Sequence, residues 1–165
     1  MTGITSPALL EAFGRVPREQ FLRSGPWCVS GRPVPGQKQV GEREVSEPAE
    51  LYRDVSVLLV WSRNLYNGAA GTLAPWIDAL KISAVSSVFH LGCGTGYYTA
   101  VMAEVVGPSG RVTAVETDHV LAEQARWNLE SWPNIEVIDG DGGAIDPGPQ
   151  DAVLVNAGVS HPATN

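Results

Sequence analysis

Hydrophobic and polar positions alternate between two periods along the second half of the chain. Val88-Phe89-His90-Leu91 is a short apolar run that ends in Gly92-Cys93-Gly94-Thr95-Gly96. Tyr98, Val101, Met102 and Val105 then recur at helical spacing, and Gly107-Pro108 closes that segment. Arg111-Val112-Thr113-Ala114-Val115-Glu116 is a second β-rich run and ends in a carboxylate. Leu121, Ala125 and Leu129 form the next helical stripe, with Asp118 placed to cap it. Ile135-Glu136-Val137-Ile138 leads into Asp139-Gly140-Asp141-Gly142-Gly143, and Ala152-Val153-Leu154-Val155 follows Asp151. Strand and helix alternating in short units predict an α/β fold, a parallel sheet covered by helices on both faces. Right-handed crossovers then restrict the topology.

The first part of the chain patterns differently. Ser6-Pro7 opens a short helix, with proline at its first position and Leu9, Leu10 and Phe13 along it. Val16-Pro17-Arg18-Glu19-Gln20-Phe21 predicts a second helical turn. Ser24 to Glu50 is rich in Gly, Pro and charge and reads as an irregular surface segment, its acidic stretch from Glu42 to Glu50 a solvated face. The chain therefore divides into a helical and irregular region, residues 1–81, and an α/β unit, residues 82–165.

Composition narrows the function. A chain of 165 residues, 44% hydrophobic and 18% charged, has enough apolar material for one real core. Its net charge of -7, with no basic stripe, argues against gripping a phosphate backbone, so no nucleic-acid partner is expected. No apolar run approaches the ~20 residues that cross a bilayer. Met1 to Pro7 has neither a basic start nor a long apolar stretch, so it does not read as a signal peptide, and the expected location is the cytoplasm. Cys28 and Cys93 match no metal or disulfide spacing, and no metal site is expected.

The glycine turn carries the chemistry. A strand that turns sharply into a helix needs residues without a Cβ, and their absence lets a ligand approach the backbone. The spacing here is Gly-x-Gly-x-Gly, and Tyr97 stands where Gly-x-Gly-x-x-Gly would require its last glycine. That departs from the pyrophosphate-binding fingerprint and suits a ligand without phosphate, such as S-adenosyl-L-methionine. Glu116 lies 20 residues after Gly96, where a nucleotide-binding unit places the acid that accepts ribose hydroxyls.

Four patches resemble the protein-L-isoaspartate O-methyltransferase family of class I methyltransferases. Val16-Pro17-Arg18-Glu19-Gln20-Phe21 is similar to its Val-Pro-Arg-Glu-x-Phe signature, and Leu51-Tyr52-Arg53-Asp54 to its Ala-Tyr-x-Asp step. His90 to Thr99, followed by Val106 to Val112, resembles motif I and its sequel. Gly140-Asp141-Gly142 resembles the Gly-Asp-Gly after the third strand. The resemblance implies a Rossmann-like class I fold with first-half strand order 3-2-1-4. It also implies S-adenosyl-L-methionine as cofactor and methyl transfer to a carboxylate of an isoaspartyl protein or peptide. With the glycine pattern, it nominates His90, Gly92, Cys93, Gly94, Thr95, Gly96, Glu116, Asp141 and Gly142 as cofactor residues, Asp141 toward the adenine amine.

Three departures shape the expectation. Gly71-Thr72-Leu73-Ala74-Pro75 stands where the family carries Thr-Ile-Ser-x-Pro, so Leu73 replaces the serine near the substrate carboxylate and Thr72 is left as the one catalytic candidate. His90 replaces a common acid. The sequence also stops soon after the fourth strand, where the fold normally adds three more; an apolar strand left at an edge predicts self-association. Alternative readings are an O-methyltransferase of another acceptor, such as a modified peptide natural product, and a non-catalytic S-adenosyl-L-methionine-binding module. By side-chain chemistry Cys93 and His90 read as packing residues, and His119 and His161 have no assignable partners. Trp61 and Trp76 flank the family's substrate segment and are candidates for a peptide groove. Asn156-Ala157-Gly158 lacks the Pro-Pro-aromatic sequel of amino-methylating enzymes.

Overall fold

In a computed structural model, which describes residues 3–31 and 41–158, the chain folds from its N-terminus onto its own second half. Ser6 caps α1 (Pro7–Arg15) by accepting from the Leu9 N–H at 3.3 Å, and Pro7 sits at the first position, where its missing donor costs nothing. Leu9 and Ala12 bury the inner face of this helix. A 3-10 turn over Arg18–Phe21 follows.

The segment expected to be irregular holds two strands. β1 (Trp27–Gly31) pairs antiparallel with β2 (Glu42–Val45), and β3 (Val55–Val60) and β4 (Leu65–Asn67) complete a four-stranded sheet of order β2-β1-β3-β4. The helical and irregular description of residues 1–81 is therefore corrected: an antiparallel sheet lies within it. Its pairing supplies the backbone partners that a Gly- and charge-rich stretch could not provide locally. Leu22, Val29, Val45, Leu51, Val55 and Val57 form a small core of its own.

α2 (Ala70–Ala79) joins the two sheets. Asp54 accepts from the Gly71 N–H at 2.8 Å in its first turn, and Asp78 accepts from Thr5 and Ser6, which ties the N-terminus to this helix. β5 (Ser87–Leu91), α3 (Tyr97–Val106), β6 (Arg111–Glu116), α4 (His119–Asn128), β7 (Ile135–Asp139) and β8 (Ala152–Val155) follow as the pattern predicts. The sheet is parallel with order β7-β6-β5-β8, which is the expected 3-2-1-4. Asp118 caps α4 by accepting from the Leu121 N–H at 2.9 Å.

α3 is buried on nearly every face, which explains why its sequence is apolar almost throughout. Leu9, Val16, Phe21, Leu73 and Ile77 from before position 82 share one core with Val88, Tyr97, Met102 and Leu154 from after it. Val153 and Val155 are half exposed on β8, whose one partner among the described residues is β5. No helix among the described residues is long and apolar enough to cross a membrane. His161 lies outside the described residues.

Candidate functional site

Where β5 ends at Leu91, the chain must reverse to enter α3. Gly92 does so at φ +79°, and a Cβ there would sit 2.6 Å from the Asn156 carbonyl oxygen. Only glycine satisfies both the angle and the contact. The N–H groups of Gly92 and Cys93 donate to the Val115 carbonyl at 2.8 and 3.1 Å, and the Asn156 N–H donates to the Leu91 carbonyl at 2.8 Å. The turn is thus pinned to the strands on both sides. Gly94 follows at φ +57°, and the nearest atom to its absent Cβ is Leu59 Cδ1 at 3.6 Å. A side chain at Gly94 would occupy the space above the sheet.

Glu116 closes β6 directly beside this turn. It is buried, and its two oxygens accept from the Gly94 N–H at 2.8 Å and the Asp118 N–H at 3.0 Å. A carboxylate has about four acceptor positions, so both oxygens keep capacity for a further donor. One register step away, Asp139 pairs with Glu116 across the sheet, and Gly140-Asp141-Gly142 turns over the strand ends. Asp141 accepts from the Gly143 N–H at 2.9 Å and is otherwise exposed.

These elements wall a cleft of about 440 Å³ at the C-terminal edge of the parallel sheet. That is within the range of small-molecule sites, roughly 300–1,000 Å³. Gly92, Cys93, Gly94, Glu116, Asp141 and Gly142, all nominated from the sequence, line it together. The opposite wall comes from the β3–β4 hairpin through Leu59, Arg63 and Leu65 to Gly68, and Asn156 to Gly158 close one end. The hairpin wall carries no local signal in the sequence, because only the tertiary fold brings it over the glycine turn. Arg63 is the one basic residue among those lining the cleft, and it is ion-paired with Asp118.

Four nominated residues do not line the cleft. His90 is fully buried behind it, with Nδ1 2.9 Å from Thr99 Oγ1. Thr95 is buried, and its carbonyl accepts from Asn128 at 2.9 Å. Gly96 caps α3 in the left-handed region, against Leu129. These three build the turn that others present. Thr72 lies exposed on α2, and Leu73, in the family serine's place, is buried in the main core. Trp61 and Trp76 are exposed but outside the cleft lining.

The titratable groups behave as their surroundings dictate. Burial, with help from the Glu116 carboxylate, pushes the Cys93 thiol up to about 12, so it is an inert packing group. Burial pushes His90 down to about 4. His119 has a partner that the sequence did not suggest: its Nδ1 lies 2.5 Å from Asp139 Oδ2. That hydrogen bond, with the Glu123 and Asp139 charges, raises it above its ordinary value of 6.5. Because unfolded His90 binds a proton that folded His90 refuses, stability is lost as pH falls from about 6.5 through about 4. A histidine-selective proton NMR titration should therefore show His119 titrating above 6.5 while His90 stays neutral down to about pH 5. A His90 midpoint near 6.5 would mean that the imidazole is not buried as described.

The match to known proteins agrees with this geometry. A family model described as Protein-L-isoaspartate(D-aspartate) O-methyltransferase (PCMT) matches residues 1–164. The chain belongs to that family. Among its isoaspartate methyltransferase relatives, that of Methanothrix thermoacetophila is 33% identical over 158 residues, which cover 92% of this chain and 63% of the relative. The one from Trichlorobacter lovleyi is 34% identical over 164 residues, covering 95% of this chain and 62% of the relative. A solved protein-L-isoaspartate O-methyltransferase superposes with a TM-score of 0.75 at 27% identity, covering 95% of this chain and 45% of that one. The chain thus spans less than two thirds of the length of these curated relatives. The residues matched by the family model, 1–164, span Arg18, the glycine turn and Glu116.

Proposed function

We propose that this chain binds S-adenosyl-L-methionine in the cleft above β5 and β6 and directs its methyl group to a carboxylate of an isoaspartyl protein or peptide. The observation that carries the reading is Glu116, held by the Gly94 and Asp118 N–H groups with acceptor capacity left toward the cleft. Two ribose hydroxyls match that capacity. Asp141 and the backbone around Gly142 suit the adenine edge, while Leu91, Val115 and Leu121 supply apolar contact. Gly92, Cys93 and Gly94 offer close backbone approach to the amino-acid part. His90, Thr95 and Gly96 support the turn from behind. Residues 1–81 would serve the acceptor side and residues 82–165 the cofactor side.

The cofactor, when bound, supplies an electrophilic methyl group on a sulfonium. An acceptor that is already an anion needs no proton removed. The chain's work is then alignment of two reactants and exclusion of water. This accounts for a cleft without a base-and-acid pair. Incubation with labelled cofactor and an isoaspartyl peptide should transfer label to the peptide in a base-labile ester. Cofactor binding without transfer to any carboxylate would reduce the chain to a binding module.

A second reading is favoured by Leu73. The side chain in the family serine's place is buried in the core and does not reach the cleft, so the usual contact to the substrate carboxylate is missing. A different acceptor, such as a modified peptide, fits that change. Label transfer to such a peptide, and none to the isoaspartyl peptide, would select it. For partners, the half-exposed Val153 and Val155 support self-association along β8. Light scattering of the 165-residue chain should then give a mass above the 17.5 kDa monomer, and a monomer at all concentrations would remove the proposal.

A further inference from the structure

The β3–β4 hairpin is held very unevenly. Its base is fixed: the buried Arg18 donates to the side chain of Asn67 at 2.8 Å and to the Gly68 carbonyl at 2.9 Å, and the Tyr98 hydroxyl donates to the Gly68 carbonyl at 2.5 Å. Its tip is not. Trp61 is 73% exposed, and the burial of β3 fades along its length. The register shifts between Leu58 and Val60, and Asn64 takes a left-handed φ of 52° after a single 3-10 turn. A bulge and a left-handed residue are where a hairpin changes direction, and here both flank Arg63.

Yet this lightly packed tip roofs the cleft. Leu59, at the register shift, lies over Gly94, and Arg63 reaches Asp118 at the start of α4. Among the described residues that ion pair is the one joining the hairpin to the elements of the parallel sheet. Asp118 is the right anchor. It is mostly buried, it caps α4, and its backbone N–H donates to Glu116, so it moves with the proposed ribose site.

We infer that Arg63 is a positioning residue: its ion pair with Asp118 latches the hairpin tip, with Leu59, over the cofactor cleft and sets how long the cofactor stays. The inference rests on the cofactor reading above. An ion pair with one exposed partner opens more readily than a packed apolar contact, so a tip held this way can yield as cofactor enters and leaves the cleft. Arg63 is about half exposed, so the latch weakens with salt.

Two measurements on the full chain test it separately. Stopped-flow displacement of labelled S-adenosylhomocysteine by excess unlabelled ligand should give an off-rate about fivefold faster for Arg63→Ala. Asp118→Asn, which keeps a capping oxygen, should match it, and the double variant should add little. Arg63→Lys should recover most of the wild-type rate, and added salt should accelerate release from the wild type more than from Arg63→Ala. Hydrogen exchange of the Leu65 to Asn67 amides in the ligand-free chain should be faster in Arg63→Ala, and this readout needs no ligand. Unchanged exchange and an unchanged off-rate in Arg63→Ala would overturn the latch. If the wild type binds no S-adenosylhomocysteine, the cofactor reading fails. Exchange alone then decides whether Arg63 holds the tip: faster exchange supports it, and unchanged exchange overturns it.

Discussion

Replacing Glu116 by alanine should weaken binding of S-adenosylhomocysteine by about a hundredfold. Hydrogen bonds to a charged partner contribute about 1.5–3 kcal/mol each, and the two proposed to the ribose hydroxyls at the low end amount to about 3 kcal/mol, or roughly two decades in affinity. The geometry adds a second loss. Glu116 also accepts from the N–H groups of Gly94 and Asp118, so its removal frees the glycine turn and the start of α4 together. Glu116→Gln keeps one acceptor oxygen and should lose about tenfold. Calorimetric titration of each variant checks both values, with circular dichroism to show that the sheet is intact. A folded Glu116→Ala chain with wild-type affinity would remove the carboxylate from the proposed ribose site.

The part of the molecule that holds this site was legible because its signals are local. Val88 to Leu91 and Arg111 to Glu116 are runs of buried strand, and each is bounded by a turn residue that shape alone demands. Asp118 precedes its helix at the capping position and caps it. Glu116 follows from spacing, since the βα unit has a nearly fixed length. The antiparallel sheet was not legible. Its strands are short, Glu42 and Glu44 are exposed on β2, and β1 finds its other partner in β3, after an intervening stretch of more than twenty residues. Nothing in a local pattern announces such a pairing.

The candidate site divides along the same line. The glycine turn, Glu116 and Asp141 were readable, and they do meet in one cleft. Arg63 and Leu59 were not, because they act by reaching across from the other sheet. His90, Thr95 and Gly96 belong to the glycine motif but face inward, since a tight turn presents some residues and buries those that support it. His119 found its partner in Asp139, 20 residues away on the neighbouring strand. Spacing along the chain identifies which residues share a turn, not which way each side chain points.

The largest expected effect on stability lies at Arg18, in the Val-Pro-Arg-Glu patch, where the sequence alone does not explain why an arginine stands. The structure supplies the reason. Arg18 is 1% exposed and has no carboxylate partner among the described residues. Its guanidinium donates instead to the Leu51 carbonyl at 2.8 Å, to Asn67 Oδ1 at 2.8 and 3.3 Å, and to the Gly68 carbonyl at 2.9 Å. It also lies 5.6 Å from the centroid of the Tyr97 ring, the first residue of α3. One planar fork therefore ties the turn after α1, the segment before β3, the hairpin base and the central helix. Arg18→Met keeps most of the volume and removes every donor. The Leu51 carbonyl and the side-chain and main-chain oxygens of Asn67 are buried and lose a charge-assisted partner, while the Gly68 carbonyl keeps the Tyr98 hydroxyl. At about 1–3 kcal/mol for each buried acceptor, a total loss of about 3–5 kcal/mol is expected. For a chain of this size that corresponds to roughly 10 °C in the melting temperature. Arg18→Lys should recover less than half, because a single ammonium cannot span acceptors on residues 51 and 68. The hairpin base carries Asn67 and Gly68 into the cleft wall, so both variants should also weaken S-adenosylhomocysteine binding. Thermal and urea melts read the first effect and titration the second. A chain carrying Arg18→Met that melts within 2 °C of wild type, roughly 1 kcal/mol or less, would show that the carbonyl cage holds without its cation.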